Sequence, residues 1–132
     1  MKHSTTDEAG DKYPLSLQPV NRPPEAGRPD LDLGLAIPLD MASPAVARTF
    51  FESADELEYT SFWSGEIDGA DGFTPLVLGA SILPKARFGT SIVLPLIRGA
   101  PLLAQQAASM ATAAPGRFAL GIGPGSSTIV KG

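Results

Sequence analysis

The chain has 132 residues, 43% of them hydrophobic, with 14 acidic against 10 basic side chains and a net charge of −4. That is room for one ordinary domain with a real core, and an acidic balance without a basic stripe excludes a nucleic-acid surface. There is no cysteine and the single histidine is His3, which excludes disulfides, thiolate metal centres and a cysteine nucleophile and leaves the body of the chain without histidine-based proton transfer or metal binding.

Residues 1–30 carry five prolines (Pro14, Pro19, Pro23, Pro24 and Pro29) and charges of both signs. Such a stretch buries too little apolar surface to offset its ordering entropy, so it reads as a disordered Pro-rich extension. No apolar run reaches the roughly 18–20 residues of a membrane helix. The N-terminus lacks the apolar segment of a secretory signal. No membrane partner and a cytoplasmic location are expected.

Residues 31–132 alternate strand and helix patterns. Leu31 to Ile37 (LDLGLAI) is the first strand and stops at Pro38. Ser43-Pro44 opens a helix, with Ser43 able to accept a backbone N–H and Pro44 suited to the first helical position. Val46, Ala47, Phe50, Phe51, Ala54 and Leu57 form its apolar stripe. Acidic residues near its C-terminus oppose the helix dipole, so packing must hold it. Thr60 to Ser64 (TSFWS) is the second strand, and side-chain alternation sends one of Phe62 and Trp63 to each face. A helix from about Phe73 to Leu83 follows and ends at Pro84. Ala86 to Leu94 (ARFGTSIVL) is the third strand. Ala100-Pro101 opens a third helix, with Leu102, Leu103, Ala107, Met110 and Ala111 predicted inward. Phe118 to Ile122 (FALGI) is the fourth strand.

The strands start near Leu33, Ser61, Phe88 and Phe118, about 27 to 30 residues apart. This is the rhythm of parallel βαβ crossovers. It fits a (β/α)₈ barrel and a doubly wound open sheet equally. In both, function sits at the C-terminal ends of the strands, which selects Pro38 to Asp40, Glu66 to Asp71, Ser91 to Pro95 and Gly123 to Ser127.

None of these carries a self-sufficient motif. Gly121, Gly123 and Gly125 lie in GIGPGS, which departs from a dinucleotide fingerprint at Ser126. The favoured reading is a strand end where small residues allow close approach, by a neighbouring strand or by a ligand. Glu66, Asp68 and Asp71 form an acidic loop that fails the Ca²⁺ pattern at Ala70. Solvation and helix capping explain it better than a metal. Ser91, Ser126 and Ser127 have no base to activate them. Phe62 and Trp63 are core candidates first.

Taken together, Tyr59 to Glu66 (YTSFWSGE), Asp71 to Leu76 (DGFTPL), Arg87 to Val93 (RFGTSIV), Arg98 to Ala108 (RGAPLLAQQAA) and Gly116 to Gly123 (GRFALGIG) resemble, in order, the N-terminal half of the luciferase-like monooxygenase superfamily. The resemblance implies an α/β fold, the first half of a (β/α)₈ TIM barrel, with four parallel βα units behind a disordered tail. It implies a flavin- or deazaflavin-dependent oxidoreductase that transfers a hydride to, or oxygenates, a small organic substrate. The cofactor would be the deazaflavin coenzyme F-420 or FMN. Its ring would rest on a bulge with a non-prolyl cis peptide at Ser91-Ile92, with Gly123, Gly125 and Ser126 lining the same mouth and Glu66 acting as the catalytic polar group near the ring edge.

Two departures qualify the resemblance. Many deazaflavin members carry histidine directly after the acidic residue of strand two, where this chain has Ile67, so histidine-assisted proton transfer is not expected. Family members also continue through four more βα units, where the cofactor phosphate would bind. The chain is therefore expected to be a fragment of a homo-oligomeric parent enzyme and inactive alone. Unpaired edges on strands one and four, an aggregation liability, point the same way. The alternative is a non-catalytic half-barrel that self-associates or binds a partner.

Overall fold

A computed structural model describes residues 32–41, 43–67 and 71–125. The proline-rich extension, Asp68, Ser126 and Ser127 lie outside the described residues. Four short strands, β1 (Gly34–Ala36), β2 (Ser61–Ser64), β3 (Arg87–Thr90) and β4 (Phe118–Ala119), form one parallel sheet in chain order. Gly34 pairs with Ser61, Phe62 with Phe88, Trp63 with Gly89, and Phe88 with Phe118. The crossovers are α1 (Pro44–Glu56), α2 (Thr74–Ile82) and α3 (Ala100–Ala113), the last preceded by a 3₁₀ turn at Pro95–Ile97. Right-handed crossovers between strands taken in sequence stack every helix on the same face. A doubly wound sheet would instead reverse its strand order and cover both faces. The architecture is that of a partial barrel.

Aromatic residues join the sheet to the helices. Phe51 of α1, Phe62 of β2 and Phe88 of β3 are all buried. The Phe51 and Phe62 rings meet edge-on at 5.1 Å, and Phe62 stacks on Phe88 at 5.8 Å. Gly79 lets α2 approach this cluster, since a Cβ there would stand 2.6 Å from both the Phe51 and Phe88 rings. The turn between α2 and β3 is held by Arg117, whose guanidinium donates to the carbonyl of Ala86 at 2.5 Å and lies over the Phe88 ring.

Several local expectations are corrected. The buried face of α1 is Ala47, Phe51 and Ala54, whereas Val46 and Leu57 are exposed. The stripe is narrower than its periodicity implied: among the described residues the helix packed closely against α1 is α2. Ser43 is the N-cap residue of α1 but makes no side-chain cap; its carbonyl accepts the Ala47 N–H at 2.9 Å. The C-terminus of α1 closes instead through Glu58 at φ 64°, with Tyr59 N–H donating to Ala54 O and Glu58 N–H to Asp55 O, a Schellman closure in which the left-handed site holds glutamate in place of the usual glycine. In α3, Leu103 and Met110 are buried, while Leu102 and Ala111 face outward. The regular part of β3 stops at Thr90 and that of β4 at Ala119, with a separate bridge between Val93 and Ile122 beyond.

Among the described residues no helix is long and apolar enough to cross a membrane.

Candidate functional site at the strand mouth

The C-terminal ends of β2, β3 and β4 meet at a rim built from Gly65–Glu66, Ser91–Leu94 and Gly121–Gly125. Ser64 begins it: its carbonyl accepts the Ser91 N–H at 2.6 Å, the last sheet-type bond between β2 and β3. The next peptide, Ser91-Ile92, is cis, at the position the family resemblance assigned to it. Beyond it the segment re-engages β4, with Val93 N–H donating to Gly121 O at 3.0 Å and Gly123 N–H to Val93 O at 3.2 Å. Thr90 reinforces the junction from its side chain. Its hydroxyl donates to Gly121 O and accepts Gly121 N–H, both at 2.8 Å.

The glycines that follow β4 have a physical reason. A Cβ at Gly121 would lie 2.1 Å from the Thr90 carbonyl oxygen, one at Gly123 2.4 Å from Ile92 Cδ1, and one at Gly125 2.7 Å from Leu94 Cδ2. What approaches these glycines closely is therefore the neighbouring rim segment itself. Ile92 is half-buried and seated on Gly123; Ser91 is exposed at the edge of the mouth. Ser126 lies outside the described residues.

Below the rim, the face of the sheet opposite the helices is occupied by Trp63, 37% exposed. Its Nε1–H donates to Ser61 Oγ at 3.3 Å. Its ring spreads over both neighbouring strands, where Gly34 and Gly89 leave room for it. Of the two aromatics on β2, Phe62 is thus the helix-facing core residue and Trp63 the floor of the mouth.

Glu66 follows the same parity as Ser64 and enters the helix-facing layer. It is buried, and both carboxylate oxygens are engaged. Oε1 accepts the Gly72 N–H at 3.2 Å and a hydrogen bond from the Arg98 guanidinium; Oε2 accepts the Leu94 N–H at 3.0 Å. The Arg98 side chain is 8% exposed and that of Glu66 6%. The guanidinium also lies 5.5 Å from the centre of the Phe73 ring. Burial lowers the pKa of Arg98 from its ordinary value, yet an arginine starts so high that it stays charged. As it stands, Glu66 braces the rim, and direct contact with a bound ring would require one of these bonds to open. Sequence reading missed Arg98. Its partner is 32 residues away on another loop, and no local pattern marks that pairing.

Asp71, the other described member of the acidic loop, caps α2. Its Oδ1 accepts the N–H groups of Phe73 at 2.8 Å and Thr74 at 3.1 Å. Two open grooves of about 480 Å³ each lie elsewhere, in the helical layer. One lies between α2 and α3, lined by Phe73, Val77, Leu102 and Met110; the other runs beside Val46 and Phe50.

The luciferase-like monooxygenase family matches the chain over residues 23–132. No curated protein matches it in sequence. Among solved structures, the coenzyme F420-dependent tetrahydromethanopterin reductase of Methanopyrus kandleri superposes with a TM-score of 0.65 at 22% identity, over 76% of this chain. The superposed part spans 29% of the length of that reductase. At this identity the likeness concerns the fold.

Proposed function

Because the chain belongs to the luciferase-like monooxygenase family, we propose that it forms the ring-binding side of a flavin- or deazaflavin-dependent oxidoreductase acting on a small organic substrate. The observation that carries this reading is the rim segment Ser91–Leu94. It is fastened to β4 by the Val93 bonds and to the β2 loop by Glu66, and it presents Ile92 on a glycine seat. A preorganised apolar ledge beside exposed backbone suits one face of a planar ring. The site residues of this reading are Ser91, Ile92, Gly123 and Gly125, with Glu66 behind them and Ser126 next in the chain.

The residues of this mouth fit such a group in shape and polarity. Trp63 closes the interior beneath it, and the small residues Gly34 and Gly89 hold the indole flat. When bound, a reduced flavin or deazaflavin would supply the hydride, or the electrons for oxygen chemistry. The chain's own residues seat the ring, exclude water from below and fix the rim. The phosphate of the cofactor would be held by later barrel units, and the parent enzyme would be a homo-oligomer in the cytoplasm.

Titration with FMN and with deazaflavin tests this, with emission of the single tryptophan as the readout. One of the two cofactors is expected to bind through its ring and quench Trp63, more weakly than in a barrel that also holds the phosphate. Absence of binding by both overturns the reading.

The second reading, a self-associating half-barrel without chemistry, draws on Leu120 and Ile122, which are 39% and 52% exposed just after β4. It predicts a stable dimer that binds neither cofactor.

A further inference from the structure

The β2 strand leaves the sheet after Ser64, yet β3 continues for four more residues as the rim. Its amides alternate in direction. Val93 N–H turns to β4 and finds Gly121 O. Leu94 N–H turns the other way, where no strand remains, and is met by Glu66 Oε2. The carboxylate thus stands in for a missing backbone acceptor. Its other oxygen takes Gly72 N–H, at the entry to α2, and the Arg98 guanidinium, at the entry to α3. One side chain therefore ties its own loop, between β2 and α2, to the next one, between β3 and α3.

Removing one partner of a buried ion pair is strongly destabilising, because the other is left without its counter-charge. Arg98 is the cation in contact with Glu66; Asp71 Oδ1 stands 4.0 Å from the same nitrogen. The guanidinium is fixed by Phe73, and among the described residues its Nε has no hydrogen-bond partner. Arg98 thus reaches the interior with part of its hydrogen-bonding capacity unused, while the contact with Glu66 is kept.

We infer that the Glu66–Arg98 pair sets the position of Ser91–Leu94, which makes Arg98 a positioning residue for the ring-binding ledge. This inference rests on the proposed cofactor site. Arg98 does not touch the mouth; it holds the Glu66 carboxylate in place, Glu66 holds Leu94, and Leu94 lies two residues from Ile92.

The test compares Arg98→Met, Glu66→Leu and the double variant Glu66→Gln/Arg98→Met with the unmodified protein. In the double variant the amide oxygen still accepts the Leu94 N–H and no charge is left buried, so it remains informative if Arg98→Met alone folds poorly. Amide exchange at Leu94 and Phe88 and the dissociation constants for FMN and deazaflavin are measured on each. In Arg98→Met and Glu66→Leu, Leu94 should lose protection while Phe88, in the sheet, keeps it, and binding of the preferred cofactor should weaken about tenfold or more. The double variant should return to within about threefold of the unmodified protein. Unchanged Leu94 exchange in Arg98→Met overturns the clamp whatever the cofactor does. Lost protection with unchanged affinity overturns the positioning role. Absence of cofactor binding by the unmodified protein overturns the functional reading, and Leu94 exchange still decides the clamp.

Discussion

The indole of Trp63 lies across the α-carbon of Gly89, its register partner on β3, so that a Cβ at position 89 would stand 2.3 Å from Trp63 Cζ3. On β1, Gly34 gives the same ring its space from the other side, with a Cβ there 3.0 Å from Nε1. Two strands are thus stripped of side chains so that a third can lay one aromatic across the floor. Gly89→Ala must push the whole ring, because the atoms met are the benzenoid carbons. A cost of about 2 kcal/mol is expected from such overpacking. Urea unfolding should show a lower midpoint at unchanged slope, and emission of the single tryptophan should shift to the red as the ring is driven toward solvent.

Two further glycines separate steric need from conformational need. At Gly121 the obstacle is a main-chain oxygen: Thr90 O would lie only 2.1 Å from an added Cβ, and backbone cannot step aside without parting β3 from β4. Gly121→Ala should cost about 3 kcal/mol or more. At Gly116 there is open space, but φ is +67°. Gly116→Ala should cost about 1 kcal/mol, the penalty of a left-handed residue with a Cβ. Thermal melts of the two variants would check the order, and an equal loss at both sites would contradict it.

The alternation of strands and helices was legible because each unit carries its own marks: Ser43-Pro44, Thr74-Pro75 and Ala100-Pro101 open helices, and TSFWS and RFGTS read as strands. The choice between open sheet and barrel was not legible from period alone, since it depends on strand order, which no local pattern records. The five family-like segments favoured the barrel, and the order β1-β2-β3-β4 agrees. Helix faces were legible only in part. Periodicity marks Val46 and Leu102 as apolar, but burial depends on which neighbour arrives, and both remain exposed. In the site, the glycines were read correctly as places of close approach, yet Ile92 and Leu94 as the approaching groups could not be named without register. The Glu66–Arg98 pair was invisible for the same reason, because two loops must first be stacked by the barrel.

Thr90 offers a test of the junction between β3 and β4 that leaves volume nearly constant. Its hydroxyl both donates to and accepts from Gly121. Thr90→Val keeps the shape and removes both bonds, leaving a partly buried N–H and carbonyl with one partner fewer each. A loss of about 1–3 kcal/mol is expected. Thr90→Ser, which retains the hydroxyl, should lose less. Hydrogen exchange at the Gly121 amide gives the local readout: it should accelerate in Thr90→Val and stay near its original rate in Thr90→Ser.

Gly123 is the position where fold and mouth can be separated. A Cβ there would meet Ile92 Cδ1 at 2.4 Å, and the other near neighbours are further atoms of the same side chain, the nearer at 3.5 Å. The obstacle is thus the free end of a flexible, half-buried residue at the rim. Ile92 can rotate away at small cost to the sheet, but only by leaving its seat and changing the ledge it offers. Gly123→Ala should therefore unfold within about 1 kcal/mol of the original protein while binding its flavin or deazaflavin about tenfold more weakly, equivalent to about 1.4 kcal/mol. Replacing Ile92 by the shorter valine in the same variant removes the Cδ1 that clashes, and should recover part of the lost affinity. Parallel melts and fluorescence titrations of Gly123→Ala with and without Ile92→Val measure both quantities. Equal cofactor affinity in all three proteins would mean that the ring does not rest on Ile92.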